Sequence, residues 1–176
     1  MPALAMPAPA MPADPLAASV VASLVARGET LATAESLTGG LIGAAVTAVP
    51  GSSAAYRGGV VTYATELKHT LGRVPAEVLE RFGVISPETA AAMASGVREA
   101  ADADWGLAVP GVAGPEPQEG HEAGEVWVGL AGPGRAAAAR RLELAGDRDR
   151  VRTGTVAAAL GWLDAELTGP GTSTPG

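Results

Sequence analysis

The chain has 176 residues, no cysteine and two histidines, and it sets 12 Lys and Arg against 19 Asp and Glu for a formal charge of −7. Those counts exclude disulfides, thiolate nucleophiles and histidine-rich metal centres. They also exclude a broad nucleic-acid surface, which needs many cations to neutralise phosphates. Apolar residues make up 47% and aromatics only 3%, so one domain cored with small aliphatic side chains is expected. No apolar run approaches the ~20 residues that span a bilayer, and no basic segment precedes the apolar N-terminal residues as in a secretory signal. The expectation is a cytoplasmic protein with no membrane partner and no direct binding of nucleic acid.

In chain order, residues 1–14, "MPALAMPAPAMPAD", are too rich in Pro and Ala for a regular helix and read as a disordered leader. Asp14, Pro15 and Gly28 then punctuate a helix over 15–27 as cap, first residue and stop. "ETLATAE", 29–35, reads as a buried strand, "LTGGLIGAAVTAV", 37–49, as a helix ended by Pro50-Gly51, and "AYRGGVVTYA", 55–64, as a second strand. Helical segments follow at 64–72 and 75–82, then a longer helix opened by Ser86 and Pro87. "WGLAVPGVAG" is strand then loop, "GEVWVGLAG" and "RAAAARRLELAG" are strands, and the last helix runs from about Asp147 to Leu167. The tail, 168–176, is again Gly- and Pro-rich. Strands interleaved with helices predict a layered α/β/α domain over 15–167, with a mixed, largely parallel sheet.

Such sheets bind ligands in the crevice beyond the carboxyl ends of their strands. Three polar or Gly-rich loops leave strands there: 35–40, 63–68 and 110–124. The first holds Ser36 in "TAESLTGG". A serine needs a base to become a nucleophile, and neither His69 nor His121 sits in a strand-to-helix loop beside an acid partner. The base is instead a candidate lysine, its pKa lowered by burial or by neighbouring cations. The chain has one lysine, Lys68, five residues after Tyr63 in "TYATELK", and a phenol between the two side chains could relay a proton. The bland alternatives are a Ser36 that caps the following helix, a rim tyrosine and a solvated lysine. Backbone N–H groups of Leu37, Thr38, Gly39 and Gly40 lie close enough in sequence to hold an oxyanion or a phosphate.

Residues 110–124, "PGVAGPEPQEGHEAG", hold seven Gly or Pro positions and could wall a pocket or simply form a long surface loop. In "GDRDRVR", 146–152, Arg148 and Arg152 stand one turn apart. They either meet a carboxylate or phosphate or belong to a solvated charge run at a helix start.

Six stretches in order resemble the CinA C-terminal domain family of nicotinamide mononucleotide (NMN) deamidases. They are "TAESLTGG" at 33–40, "VPGSSAAYRGGVVTYATELK" at 49–68, "GVISPETAAAMASG" at 83–96, "GVAGP" at 111–115, "GEVWVGLA" at 124–131 and "GDRDRVR" at 146–152. The resemblance covers roughly residues 15–167 and is to the stand-alone form of the family. It implies an amidohydrolase that converts NMN, a small-molecule nucleotide, to nicotinic acid mononucleotide and ammonia, without metal or organic cofactor. It places a catalytic serine, tyrosine and lysine at Ser36, Tyr63 and Lys68, and an implicated arginine at Arg148. Thr38, Gly39, Gly40 and Arg148 are the expected substrate or oxyanion contacts, and a homodimer is implied by similarity alone. In the mechanism this suggests, Lys68, partly through Tyr63, deprotonates Ser36 for attack on the carboxamide carbon. The alternatives are a nucleotide-binding regulatory member without turnover, or an amidase acting on another carboxamide. Two departures stand out: Leu37 where relatives often carry Cys, and Pro110 where they usually carry Thr or Ser. The proline removes a hydroxyl and an N–H.

Overall fold

The computed structural model describes residues 13–169. The expected leader and tail therefore lie largely outside the described residues. Helix α1, Pro15–Arg27, starts where the Asp14 carboxylate accepts the N–H groups of Leu16 and Ala17, at 2.8 and 3.3 Å. It stops at Gly28, whose φ of 65° suits a residue without a Cβ. The rest run β1 Leu31–Glu35, α2 Leu41–Thr47, a 3₁₀ turn Ser52–Ala54, β2 Tyr56–Val61, α3 Thr65–Thr70 and α4 Ala76–Phe82. They continue α5 Pro87–Ala100, β3 Trp105–Val109, β4 Glu125–Ala131, β5 Ala138–Glu143 and α6 Arg148–Thr168. Ser86 caps α5 by accepting the Thr89 N–H at 3.1 Å, and Asp147 caps α6 by accepting that of Arg150 at 2.9 Å.

The five strands form one sheet in the order β2-β1-β3-β4-β5. β1 is parallel to both β2 and β3, whereas β3–β4 and β4–β5 pair antiparallel. The sheet is thus mixed, parallel where helices connect the strands and antiparallel at the end where only loops do. Only a crossover of a dozen or more residues can join parallel neighbours.

Helices cover both faces. On one, Val20 and Leu24 of α1, Ile42 and Val46 of α2 and Leu160 and Leu163 of α6 pack with Leu31, Leu107 and Leu130 of the sheet. On the other, Met93, Ala94 and Val97 of α5 pack with Ala32, Ala34 and Ala108. The second face is built of small residues, so α5 lies close. A Cβ at Gly106 would strike the Ala94 carbonyl, and one at Gly129 the Ala90 carbonyl.

In register, Glu35 stands opposite Val61 on one side and Val109 on the other. Three parallel strands therefore end level, and the loops after them open on one rim. From β1 the chain turns to the α1/α6 face, and from β2 it turns to the α5 face. That divergence makes the end of β1 a topological switch point. Ser36 is the next residue.

One element differs in extent. The helix expected over 37–49 begins only at Leu41, because residues 36–40 form turns with Gly39 and Gly40 at φ 60° and 98°. Gly40, not Ser36, is the N-cap, so the reading of Ser36 as a helix cap is corrected.

Candidate active site

The turn carrying Ser36 is organised by Glu35, a residue the sequence reading passed over. Glu35 ends a fully buried strand and is itself 2% exposed. One carboxylate oxygen accepts from the Thr38 hydroxyl at 2.7 Å and from the N–H groups of Gly40 and Ile42, both at 3.0 Å. The other accepts the Gly43 N–H at 2.8 Å. Glu35 thereby satisfies first-turn donors of α2 that a helix leaves unpaired, and it frees the Ser36 side chain from capping. The signal in the sequence was an acid at the end of a buried strand, followed four and five residues later by a Gly pair.

Lys68 comes from α3, six residues long, and turns inward rather than to solvent. It is 4% exposed, and its Nζ lies 3.3 Å from Ser36 Oγ and 3.3 Å from the Thr62 carbonyl oxygen. Serine and lysine, 32 residues apart, are thus in direct contact. Burial depresses the Lys68 pKa below its ordinary 10.5, while the negative charges of Glu119 and Glu66 pull it back upward. A lysine so placed has more of the neutral amine that can accept the Ser36 proton. Neither histidine competes: His69 Nδ1 is 2.7 Å from the Val74 carbonyl, and His121 Nδ1 is 3.1 Å from Glu125.

Ser36 and Lys68 lie in a cleft of about 360 Å³. Val84, Ile85 and the 111–118 stretch supply its walls, and Tyr63 and Arg148 also line it. Tyr63 is 58% exposed, and its hydroxyl accepts from Arg148 Nη2 at 2.8 Å, while Nη1 donates to the Gly114 carbonyl at 2.9 Å. The phenol does not stand between serine and lysine as expected; it pairs with Arg148, and Lys68 reaches Ser36 unaided.

Three other expected contacts are placed differently. Thr38, Gly39 and Gly40 are absent from the cleft lining. The Thr38 hydroxyl and Gly40 N–H serve Glu35, and the Gly39 N–H is donated to the Ser36 carbonyl at 3.1 Å. Pro110 is buried outside the lining, and its carbonyl accepts the Trp127 N–H at 2.9 Å. Arg152 also stays out of the cleft and donates to the Leu37 and Thr38 carbonyls at 3.2 and 3.0 Å. Among the described residues no group of three or more His, Cys, Asp or Glu could hold a metal ion, and no helix is long and apolar enough to cross a membrane.

The chain has known relatives. The model of the CinA C-terminal domain matches residues 13–167. The chain belongs to the CinA family. It is 49% identical over 150 residues to a CinA-like protein of Frankia casuarinae, covering 85% of this chain and 34% of that protein. The chain spans about a third of the length of the curated relatives it matches. Among solved CinA structures, the competence damage-inducible protein A of Klebsiella pneumoniae superposes with a TM-score of 0.83 at 39% identity, over 88% of this chain and 96% of that one. A CinA superfamily protein of Enterobacter cloacae superposes with a TM-score of 0.85 at 30% identity, over 96% and 99%. These structures share the mixed five-stranded α/β fold.

Proposed function

We propose that this chain is an amidohydrolase that converts NMN to nicotinic acid mononucleotide and ammonia, with Ser36 as nucleophile and Lys68 as base. The observation that carries the reading is the 3.3 Å contact between Ser36 Oγ and a buried Lys68 whose pKa is lowered. Neutral Lys68 takes the Ser36 proton as Oγ attacks the carboxamide carbon. The resulting ammonium returns a proton to the amide nitrogen as the C–N bond breaks, and ammonia leaves an acyl-serine. Water, deprotonated by the same lysine, then attacks the ester and releases the carboxylate and Ser36. A well-placed base contributes ~10²–10⁴-fold to such a step.

The cleft supports this substrate class. Its volume of about 360 Å³ suits a small molecule, and Arg148 at its edge offers a planar cation of the kind that grips phosphate. Tyr63, paired with Arg148, acts at that edge rather than in the proton path. The reading of a non-catalytic nucleotide-binding member rested on Pro110, which does not line the cleft; the enzymatic reading leads.

The test is incubation with NMN and assay of ammonia and nicotinic acid mononucleotide, with Ser36→Ala and Lys68→Met in parallel. Turnover lost in both variants is expected. Binding of NMN without ammonia release would favour the regulatory reading. Equal turnover of free nicotinamide would favour an amidase that does not need the ribose phosphate.

A further inference from the structure

Three buried apolar side chains belong to neither of the two cores that flank the sheet. Val84 and Ile85, in the turn before α5, and Val112, in the stretch after β3, form a small cluster of their own, with Leu79 and Trp127 packed against it. All three line the cleft that holds Ser36 and Lys68. The cleft therefore has an aliphatic wall beside its reactive pair, as small-molecule sites commonly do.

Both halves of the wall are held by backbone hydrogen bonds. The Gly83 carbonyl accepts the Thr89 hydroxyl at 2.6 Å, and Ser86 Oγ accepts the Thr89 N–H at 3.1 Å, which fixes the turn carrying Val84 and Ile85. Val112 donates its N–H to the Glu125 carbonyl at 2.9 Å and accepts the Gly124 N–H at 2.8 Å. Next to it, Gly111 bridges to Val126. Val112 thus sits on an extension of the sheet rather than on a free loop, and a contact surface on a rigid element keeps its geometry.

Its place along the cleft narrows what the wall meets. The Ser36 N–H is donated to the Val109 carbonyl at 3.3 Å, and the Gly114 carbonyl accepts Arg148 Nη1 at 2.9 Å. The stretch 109–114 starts beside Ser36 and ends beside Arg148, with Val112 between them. A ligand with its carbonyl carbon at Ser36 and its anion at Arg148 lays the group next to its carbonyl against this wall. Aliphatic side chains offer that group no hydrogen bond and favour apolar surface. A flat ring covers the wall without freezing rotors, whereas each immobilised bond of an open chain costs affinity.

We propose that Val84, Ile85 and Val112 form the subsite for the ring that bears the carboxamide, and that this wall selects aromatic over open-chain amides. The proposal rests on the acyl-transfer reading of Ser36.

The experiment measures kcat and KM for NMN in the wild type, Val112→Ala and Val112→Thr. It also measures the rates at which benzenesulfonyl fluoride and methanesulfonyl fluoride label Ser36. In that reaction Ser36 Oγ displaces fluoride from sulfur and its proton passes to Lys68, so the two reagents differ only in carrying a ring or a methyl group. A methylene's worth of contact in an apolar pocket changes kcat/KM about 10–200-fold. Val112→Ala should lower kcat/KM for NMN about tenfold or more, chiefly through KM, since the ring meets the wall before and during the reaction alike. Val112→Thr keeps the volume but sets a hydroxyl on the wall, and should lose about threefold or more. In both variants the benzenesulfonyl rate should fall by a similar factor relative to the methanesulfonyl rate. General damage to the site would slow both reagents together.

An unchanged ratio of the two labelling rates, or kcat/KM within about twofold of wild type in both variants, overturns the proposal. If Val112→Ala does not fold, Val112→Thr decides on the same criteria. A wild type that labels but does not turn over NMN ends the substrate assignment; the labelling ratio then decides the ring subsite alone. A wild type that turns over NMN without labelling leaves the decision to kcat/KM. One that does neither overturns the acyl-transfer reading and the subsite with it.

Discussion

Replacing Lys68 by Met separates the chemical role of the lysine from its structural cost. The side chain is 4% exposed and meets only the Ser36 hydroxyl and the Thr62 carbonyl in hydrogen bonds. Replacing a buried ion pair by apolar side chains of similar volume is often neutral or stabilising by about 1–4 kcal/mol, and Lys68, whose hydrogen bonds go to neutral oxygens, bears the same desolvation cost without a paired carboxylate to offset it. Leaving the Thr62 carbonyl without its partner costs about 1 kcal/mol in return. Lys68→Met should therefore be as stable as the wild type or more so at pH 7, by up to about 3 kcal/mol, with Tm rising about 2–4 °C per kcal/mol. Deamidation should fall ~10²–10⁴-fold.

The pH dependence carries the sign. Burial lowers the folded-state pKa of Lys68 below the unfolded 10.5, so between those two values the unfolded chain binds more protons. The stability this group contributes is present in full above 10.5 and is lost as pH falls through the folded pKa. The wild type should gain stability with rising pH across that window and Lys68→Met should not. The Tm advantage of the variant is then largest at low pH and closes towards 10.5. Thermal melts from pH 7 to 10.5, with ammonia release at each pH, provide the check. A variant less stable than wild type at pH 7, with a gap that does not change with pH, would refute the reasoning, as would activity within tenfold of wild type.

Glu119, whose charge raises the Lys68 pKa and whose carboxylate accepts from Thr65 Oγ1 at 3.3 Å, should shift the ascending limb of the pH–rate profile to lower pH when changed to Gln. Arg148→Ala should raise KM for NMN by about 10–100-fold, the worth of a hydrogen bond to a charged group. It should have much less effect on the unphosphorylated nucleoside, as steady-state kinetics on both would show. Glu35→Gln must set an NH₂ group against at least one of the donors now facing the carboxylate. It should lose at least about 1–3 kcal/mol in chemical denaturation. Gly129→Ala forces a Cβ into the Ala90 carbonyl and should cost about 1–3 kcal/mol or more by overpacking, with kcat unchanged in whatever fraction folds.

The parts of this fold written in local sequence were legible, and those set by distant partners were not. Asp14-Pro15 and Ser86-Pro87 start helices because cap and first residue are adjacent in the chain, and both helices begin where those residues say. The start of α2 was misplaced by four residues because its donors are served by Glu35, five to eight positions back and on a strand. Ser36 and Lys68 could be paired from the sequence, since a single lysine left no other base of that kind. The separate tasks of Arg148 and Arg152 could not. Both fit the same one-turn spacing, and only the packing of α6 against α2 and the nucleophile turn shows one in the cleft and the other behind it.

The level ends of three parallel strands explain why this site needs so few residues. Glu35, Val61 and Val109 stand abreast, so the turn after β1, the short helix after β2 and the loop after β3 meet without any long excursion. Ser36 sits at the fork, and Lys68 arrives from the chain that leaves on the other face. That geometry sets two effects on Lys68 in opposition. Enclosure between sheet and α3 lowers its pKa, and Glu119 and Glu66, one from the loop after β3 and one from α3 itself, limit the drop. A general base works best when its pKa lies near the working pH. Burial favours the neutral amine that can accept a proton, and the two acids favour the protonated form. The fold brings both to one side chain because the loop after β3 and the helix after β2 share a rim.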